Sequence, residues 1–221
     1  MKQLTAIQKQ VSNADPNWNI PMSFNIFLAL AAFCLVSSIT PGPNNLMLLA
    51  SGVNHGFGKT IPHMLGITGG FAFLLACVGL GLAQVFERAP TVFLVLKFAG
   101  CAYLLYLAWK IANSGAPDAG DAITRPMTFL EAAAFQWVNP KAWVMAVSAM
   151  TVYTSHGDFT KSVLIVVAVF TTVNLPSIAV WCGMGVGLKR FLADPLRLKY
   201  FNWSMAALLV ASLWPMLVSS H

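Results

Sequence analysis

Thr40-Pro41-Gly42-Pro43-Asn44-Asn45 sits inside an apolar run that holds no charged residue between Asp15 and Lys59. Proline has no N–H to give and its ring clashes with the preceding turn, so two prolines around a glycine interrupt any helix there. In lipid, a backbone must satisfy its own polar groups. Broken helix at membrane depth is tolerated only inside protein or beside a watery cavity. The break therefore marks a candidate binding site, with a kink that merely shapes packing as the plainer alternative.

Composition supports the membrane reading. The 221 residues are 57% hydrophobic and 9% charged, with a mean hydropathy of +0.70. Soluble domains carry roughly a quarter charged residues. An integral membrane protein with about six spans and no sizeable soluble domain fits this length. The net charge of +6 comes from Lys and Arg in short loops. That distribution points to topology signals and anionic lipid headgroups and excludes a nucleic-acid partner. Cys34, Cys77, Cys101 and Cys182 all lie in apolar segments without C-x-x-C spacing. They read as small buried residues, with no metal or cofactor site implied.

Along the chain, residues 1–21 form a polar tail, expected to be disordered, and Met22 opens the apolar run. The tail is polar where a signal peptide would be apolar, so no cleaved signal is expected. Segment one covers Ser23–Val53, whose 31 residues would make about 46 Å of helix against a hydrocarbon core of about 30 Å. It must tilt, kink or split. Segments two to six are expected at Pro62–Val85, Pro90–Ile111, Phe129–Thr154, Lys161–Leu188 and Tyr200–Val218. They are too long and too uniformly apolar for membrane β-strands. The fold class is all-α, with six transmembrane helices arranged as two inverted three-helix repeats. The first repeat is 22–111, a cytoplasmic linker follows at 112–127, and the second repeat is 128–221.

Lys2, Lys9, Arg88 and Lys161 fall on one side of such a topology. Lys59, Lys110, Arg125, Lys189, Arg190, Arg197 and Lys199 fall on the other. The richer side is expected in the cytoplasm, which leaves both termini outside it. The fourth segment is interrupted at Asn139-Pro140, and Pro140 follows Pro41 by 99 residues. Each repeat thus breaks in its first segment. Interrupted segments at matching places in inverted halves point to a transporter's binding site.

The chemistry follows from those breaks. Pro43 suits the first position of a restarted helix, with Thr40 or Gly42 before it as caps. The amides near Asn44 and Asn45 then form a positive helix end suited to a carboxylate. Their side chains bring both donors and acceptors. At the second break Gln136 precedes Asn139-Pro140-Lys141. A lysine inside an apolar segment needs a partner, such as a carboxylate or the negative end of another half-helix; otherwise it reaches back to the headgroups. Glu131 and His63 are the proton-coupling candidates, each with a solvated interface position as the alternative. Lys97 is expected to reach the headgroups. Gly66-x-x-x-Gly70, Gly79-x-Gly81 and Gly183-x-Gly185-x-Gly187 are expected to let helices approach closely.

These motifs resemble the LysE/RhtB amino-acid exporters. Ile39-Thr40-Pro41-Gly42-Pro43-Asn44-Asn45 is similar to that family's signature. So are His55-Gly56-Phe57-Gly58-Lys59 and Gly66-Ile67-Thr68-Gly69-Gly70. Gly100–Lys110 looks like its third helix, and Phe135-Gln136-Trp137-Val138-Asn139-Pro140-Lys141 its second break. The resemblance covers residues 22–218, and within the family the nearest type looks like the cysteine/O-acetylserine exporters. It implies a multi-pass secondary exporter of small amino acids in a bacterial inner membrane, not an enzyme. The expected drive is a proton antiport, with a midplane site and alternating access. Partners would be the amino acid, protons and lipid; a homodimer is compatible with it. Phe71 stands where many members carry an acid, which argues for neutral over cationic substrates.

Other classes fit less well. A thiol–disulfide carrier of similar architecture needs cysteines in both halves that can meet, and segment four has none. A divalent-metal exporter needs clustered ligands, whereas the histidines are scattered at 55, 63, 156 and 221. A purely scaffolding subunit has no use for two helix breaks.

Overall fold

The computed structural model of the chain describes residues 24–82, 90–114, 125–154 and 159–213, without the side chains of 90, 92–94, 96 and 97. The tail 1–21, Met22, Arg88, His156, the middle of the linker and the end of segment six lie outside the described residues, as does the side chain of Lys97. Everything described is helix or short connection. α1 is Phe24–Ile39, α2 Pro43–His55 and α3 Phe57–Cys77, which continues into one wider turn at Val78–Leu82. α4 is Pro90–Ala112, α5 Phe129–Phe135, α6 Pro140–Tyr153, α7 Phe159–Leu188 and α8 Pro195–Ala211.

Local sequence accounts for the starts. α2, α6 and α8 each open on a proline at the first helical position, where the missing N–H costs nothing. Asn139 accepts from Lys141 N at 3.2 Å, and Asp194 accepts from Leu196 N and Arg197 N at 2.8 and 3.0 Å. α5 begins with a reciprocal Thr128–Glu131 capping box. Gly56, at φ 81°, ends α2 and joins it to α3 through a single residue. Only glycine takes that conformation without strain.

Two expected boundaries shift. Segment two begins at Phe57, not Pro62. The proline lies inside α3, so His63 sits well within the helix and not at its start. The tight turn at Gly56 sets that start. Segment six begins at Pro195, not Tyr200, because Asp194-Pro195 is itself a capped helix start.

α7 is the central element. It packs along α2 most extensively, and also along α1 and α3; α3 runs against α5, and α4 against α8. The glycines explain the closest crossings. A Cβ at Gly52 would lie 2.3 Å from Cys182 O, and one at Gly185 would lie 2.2 Å from Leu49 O. Gly66 and Gly70 hold α3 equally close to the backbone of α5. Gly183 and Gly187 face open space, so only the middle glycine of that motif serves packing.

Two large apolar cores result, beside two small clusters. One joins α2, α3, α4, α5, α7 and α8 around Leu48, Ile67, Phe135 and Leu209; the other joins α1, α3, α6 and α7 around Leu30, Leu74, Ala146 and Phe170. The outside is just as apolar, with Val95, Phe98, Leu130, Val144, Val152 and Leu164 exposed. Soluble monomers rarely carry such a surface, which suits lipid as the solvent. Among the described residues, Phe57–Leu82 and Phe159–Leu188 are long and apolar enough to cross a bilayer alone; α1 and α2, bent by 55° at their break, make a third span if taken together.

Candidate functional site

The first break is closed on its carbonyl side by four side chains, two of its own and two from elsewhere in the chain. Where α1 ends, Thr40 Oγ1 donates to Ser37 O at 3.0 Å and Trp181 Nε1 donates to Ile39 O at 3.0 Å. Asn45 Nδ2 donates to Ser38 O and Thr40 O, both at 2.8 Å. Lys141 Nζ donates to Thr40 O at 2.7 Å, Thr40 Oγ1 at 3.0 Å and Pro41 O at 3.3 Å. The lysine of the second break thus caps the negative end of α1, a charge-assisted interaction that also suits the helix dipole. Gly42 makes room for it, since a Cβ there would sit 2.7 Å from Lys141 Cδ.

The donor side is left open. α2 has no side-chain cap at Gly42, and the Asn44 and Asn45 amides of its first turn have no intrahelical acceptor. Gly42 stands at the cap position in extended conformation, φ −178°.

The second break is made by tightening. Gln136 N, Trp137 N, Val138 N and Asn139 N each reach back three residues to a carbonyl before α6 restarts at Pro140. Gln136, completely buried, then crosses to the first break. Its Oε1 accepts from Asn44 Nδ2 at 2.8 Å, its Nε2 donates to Asn44 Oδ1 at 3.3 Å and to Ala132 O at 2.8 Å. The two interruptions are therefore joined twice, by an amide pair and by a lysine.

Between them lies a cavity of about 30 Å³. Of the ten residues expected at the site, Gly42, Asn44, Asn45, Gln136, Asn139 and Lys141 line it. Pro43 and Pro140 start the helices that carry them, and Thr40 and Pro41 supply the carbonyls that Lys141 holds. Sequence reasoning missed Ser37, Ser38 and Asn174, which also line it. Ser38 Oγ is buried without a partner, and Asn174 donates to Thr68 Oγ1 at 3.5 Å. Asn174, 4% exposed in α7, is the one that burial cost makes conspicuous. Phe71 forms part of the wall, edge-on to Phe170 with ring centroids 5.3 Å apart. The cavity has room for about two waters.

Neither titratable candidate lies in this cavity. Glu131 is half-exposed at the start of α5 and takes both Arg125 nitrogens at 2.9 and 2.6 Å. Its carboxylate holds the Arg125 guanidinium above its usual range. His63 departs from the solvated alternative: it is 2% exposed, and both ring nitrogens lack partners.

A family model described as LysE type translocator matches residues 35–213, which include both breaks. The cysteine/O-acetylserine efflux proteins of Escherichia coli K12 and Escherichia coli O157:H7 are each 34% identical over 134 residues, 60% of this chain and 67% of the relative. No solved structure matches.

Proposed function

We propose, on the premise that this chain belongs to the LysE family of translocators, that it exports small neutral amino acids or their derivatives through the cavity between its two breaks. The observation that carries this reading is the meeting of both interrupted helices at one polar cavity inside an apolar body. A zwitterion finds matching partners there. The first-turn amides of α2 face its carboxylate, with the positive charge of Lys141 close by; the amide oxygens of Asn44 and Gln136 and the hydroxyl of Ser38 accept from its ammonium. The fixed charge of Lys141 opposes a bare metal ion or a dicationic amino acid, and Phe71 offers no counter-charge. The names of the relatives favour cysteine and O-acetylserine as first substrates to try.

The present cavity is too small for an amino acid, so transport requires opening, with the halves 22–111 and 128–221 moving as inverted repeats of six spans in all. Lys110, Arg125 and the 189–199 segment support a cytoplasmic placement of their end. Leu192 and Leu198 pack on Val53, and Asn202 donates to Ser114 O at 2.8 Å, which gathers these basic stretches together. Lys199 lies 5.1 Å over Trp203, a pairing suited to a headgroup layer. Proton antiport is part of the proposal, with His63 the better carrier; Glu131 already serves Arg125 and the α5 cap.

The test is export from proteoliposomes loaded with radiolabelled O-acetyl-L-serine or L-cysteine. Release should exceed that from empty vesicles and should quicken when the outside is made acidic by one pH unit. Release equal to that from empty vesicles would reject the substrate class, and release indifferent to the gradient would reject antiport.

A further inference from the structure

A second cavity, of about 50 Å³, lies between α2, α3, α4 and the strap at 125–127. It has room for several waters or one carboxylate group. It is close to the first. His63 stands one turn from Ile67 on α3, and Met47 one turn from Asn44 on α2, with the first residue of each pair lining the second cavity and the other lining the central one.

Most polar groups around it are already occupied. The Ser51 hydroxyl pairs with Thr60 Oγ1 at 2.8 Å. Asn54 Nδ2 donates to Ala50 O at 2.8 Å and to Asn202 Oδ1 at 3.1 Å. Arg125 is held by Glu131. Two groups remain. His63 is buried with both ring nitrogens unpartnered, and Lys110 has no ion-pair partner among the described residues. Leaving a buried polar side chain unsatisfied costs about 1–3 kcal/mol, and such a group in a native fold calls for an explanation. An imidazole N–H and an ammonium facing one small cavity are two donors without an acceptor. Met47 and Leu107 supply an apolar wall beside them.

We propose that this cavity is a loading site for a small carboxylate, held by His63 and Lys110 before it passes one helical turn on to the central cavity. The identity of that carboxylate as the exported amino acid rests on the function proposed above; the anion site itself does not. In the orientation proposed above, the basic end of the molecule, where the cavity lies, is the face from which an exporter takes its cargo.

Acetate serves as the probe, on the full chain in nanodiscs with ¹⁵N-imidazole histidine, the His63 signal being assigned with His63→Asn. Acetate should move that signal saturably, and its dissociation constant should rise at least fivefold in Lys110→Gln. Methylammonium at equal ionic strength should leave the signal in place. A His63 signal that ignores acetate, that moves equally with methylammonium, or that titrates alike in wild type and Lys110→Gln overturns the proposal. In oriented proteoliposomes, Lys110→Gln should raise KM for O-acetyl-L-serine at least fivefold from the face bearing Lys110 and leave KM from the opposite face unchanged. An equal rise from both faces overturns the loading role. Because acetate titration does not depend on what is exported, a protein that exports no amino acid but binds acetate at His63 loses only the proposed function. One that exports but does not bind acetate loses only this site.

Discussion

At Gly42 a single methyl group would displace the lysine that holds the break, because Lys141 Cδ and Nζ lie 2.7 and 3.2 Å from where a Cβ would stand. Hydrogen bonds to a charged group contribute about 1.5–3 kcal/mol, or about one to two decades in a rate that depends on them. Gly42→Ala and Lys141→Ala should therefore each slow export about tenfold or more at normal membrane abundance. Initial rates in vesicles would check this, and the double variant should be no slower than the worse single one, since both remove the same contact. Additive losses would separate the two residues. The sequence leaves Lys141 two readings: an ammonium in an apolar segment needs a partner, the end of another half-helix among the options, or else it reaches back to the headgroups. That the partner is Thr40, 101 residues away, is tertiary information that no local pattern holds. The two asparagines divide in the same way. Asn45 repairs backbone freed by the prolines, whereas Asn44 reaches Gln136, and adjacent identical side chains cannot reveal which does which.

Among the helices, the two breaks and the restart at Pro43 were legible because proline and glycine act locally, whereas the capped start at Asp194-Pro195 was missed. Pro41, Pro43 and Pro140 each lack a helix donor and crowd the preceding turn, and the helix breaks at both places. Pro62 shows the limit of that logic: it lies inside α3, where the turn at Gly56 decides the boundary. Pro41→Ala with Pro43→Ala should let α1 run toward α2 and abolish export while the protein still reaches the membrane, which immunoblotting of membranes beside a transport assay would show. Glycine spacing alone did not tell contact from open space. Gly52→Ala and Gly185→Ala should each push α2 from α7 and lower stability by about 1–3 kcal/mol, the usual range for overpacking. Gly183→Ala and Gly187→Ala should be tolerated. Thermal unfolding in detergent would rank the four, and equal tolerance of all would contradict the crossing described.

For the molecule as a whole, composition and hydropathy made the all-helical membrane class plain, and the two breaks gave the candidate site its place. The second cavity was not legible. It depends on α2, α3 and α4 converging, and His63 read alone looked like a residue near the interface. The central claim is that the two breaks together form the place where substrate binds. Its most direct test is equilibrium binding of radiolabelled O-acetyl-L-serine to the purified chain in nanodiscs, comparing wild type with the Asn44→Leu/Gln136→Leu double variant. Replacing both partners of a buried hydrogen bond by apolar groups of similar size leaves little unsatisfied, so the variant should fold. Saturable binding by the wild type, weakened at least tenfold in the variant, is the predicted result; undiminished binding in the folded variant would contradict it.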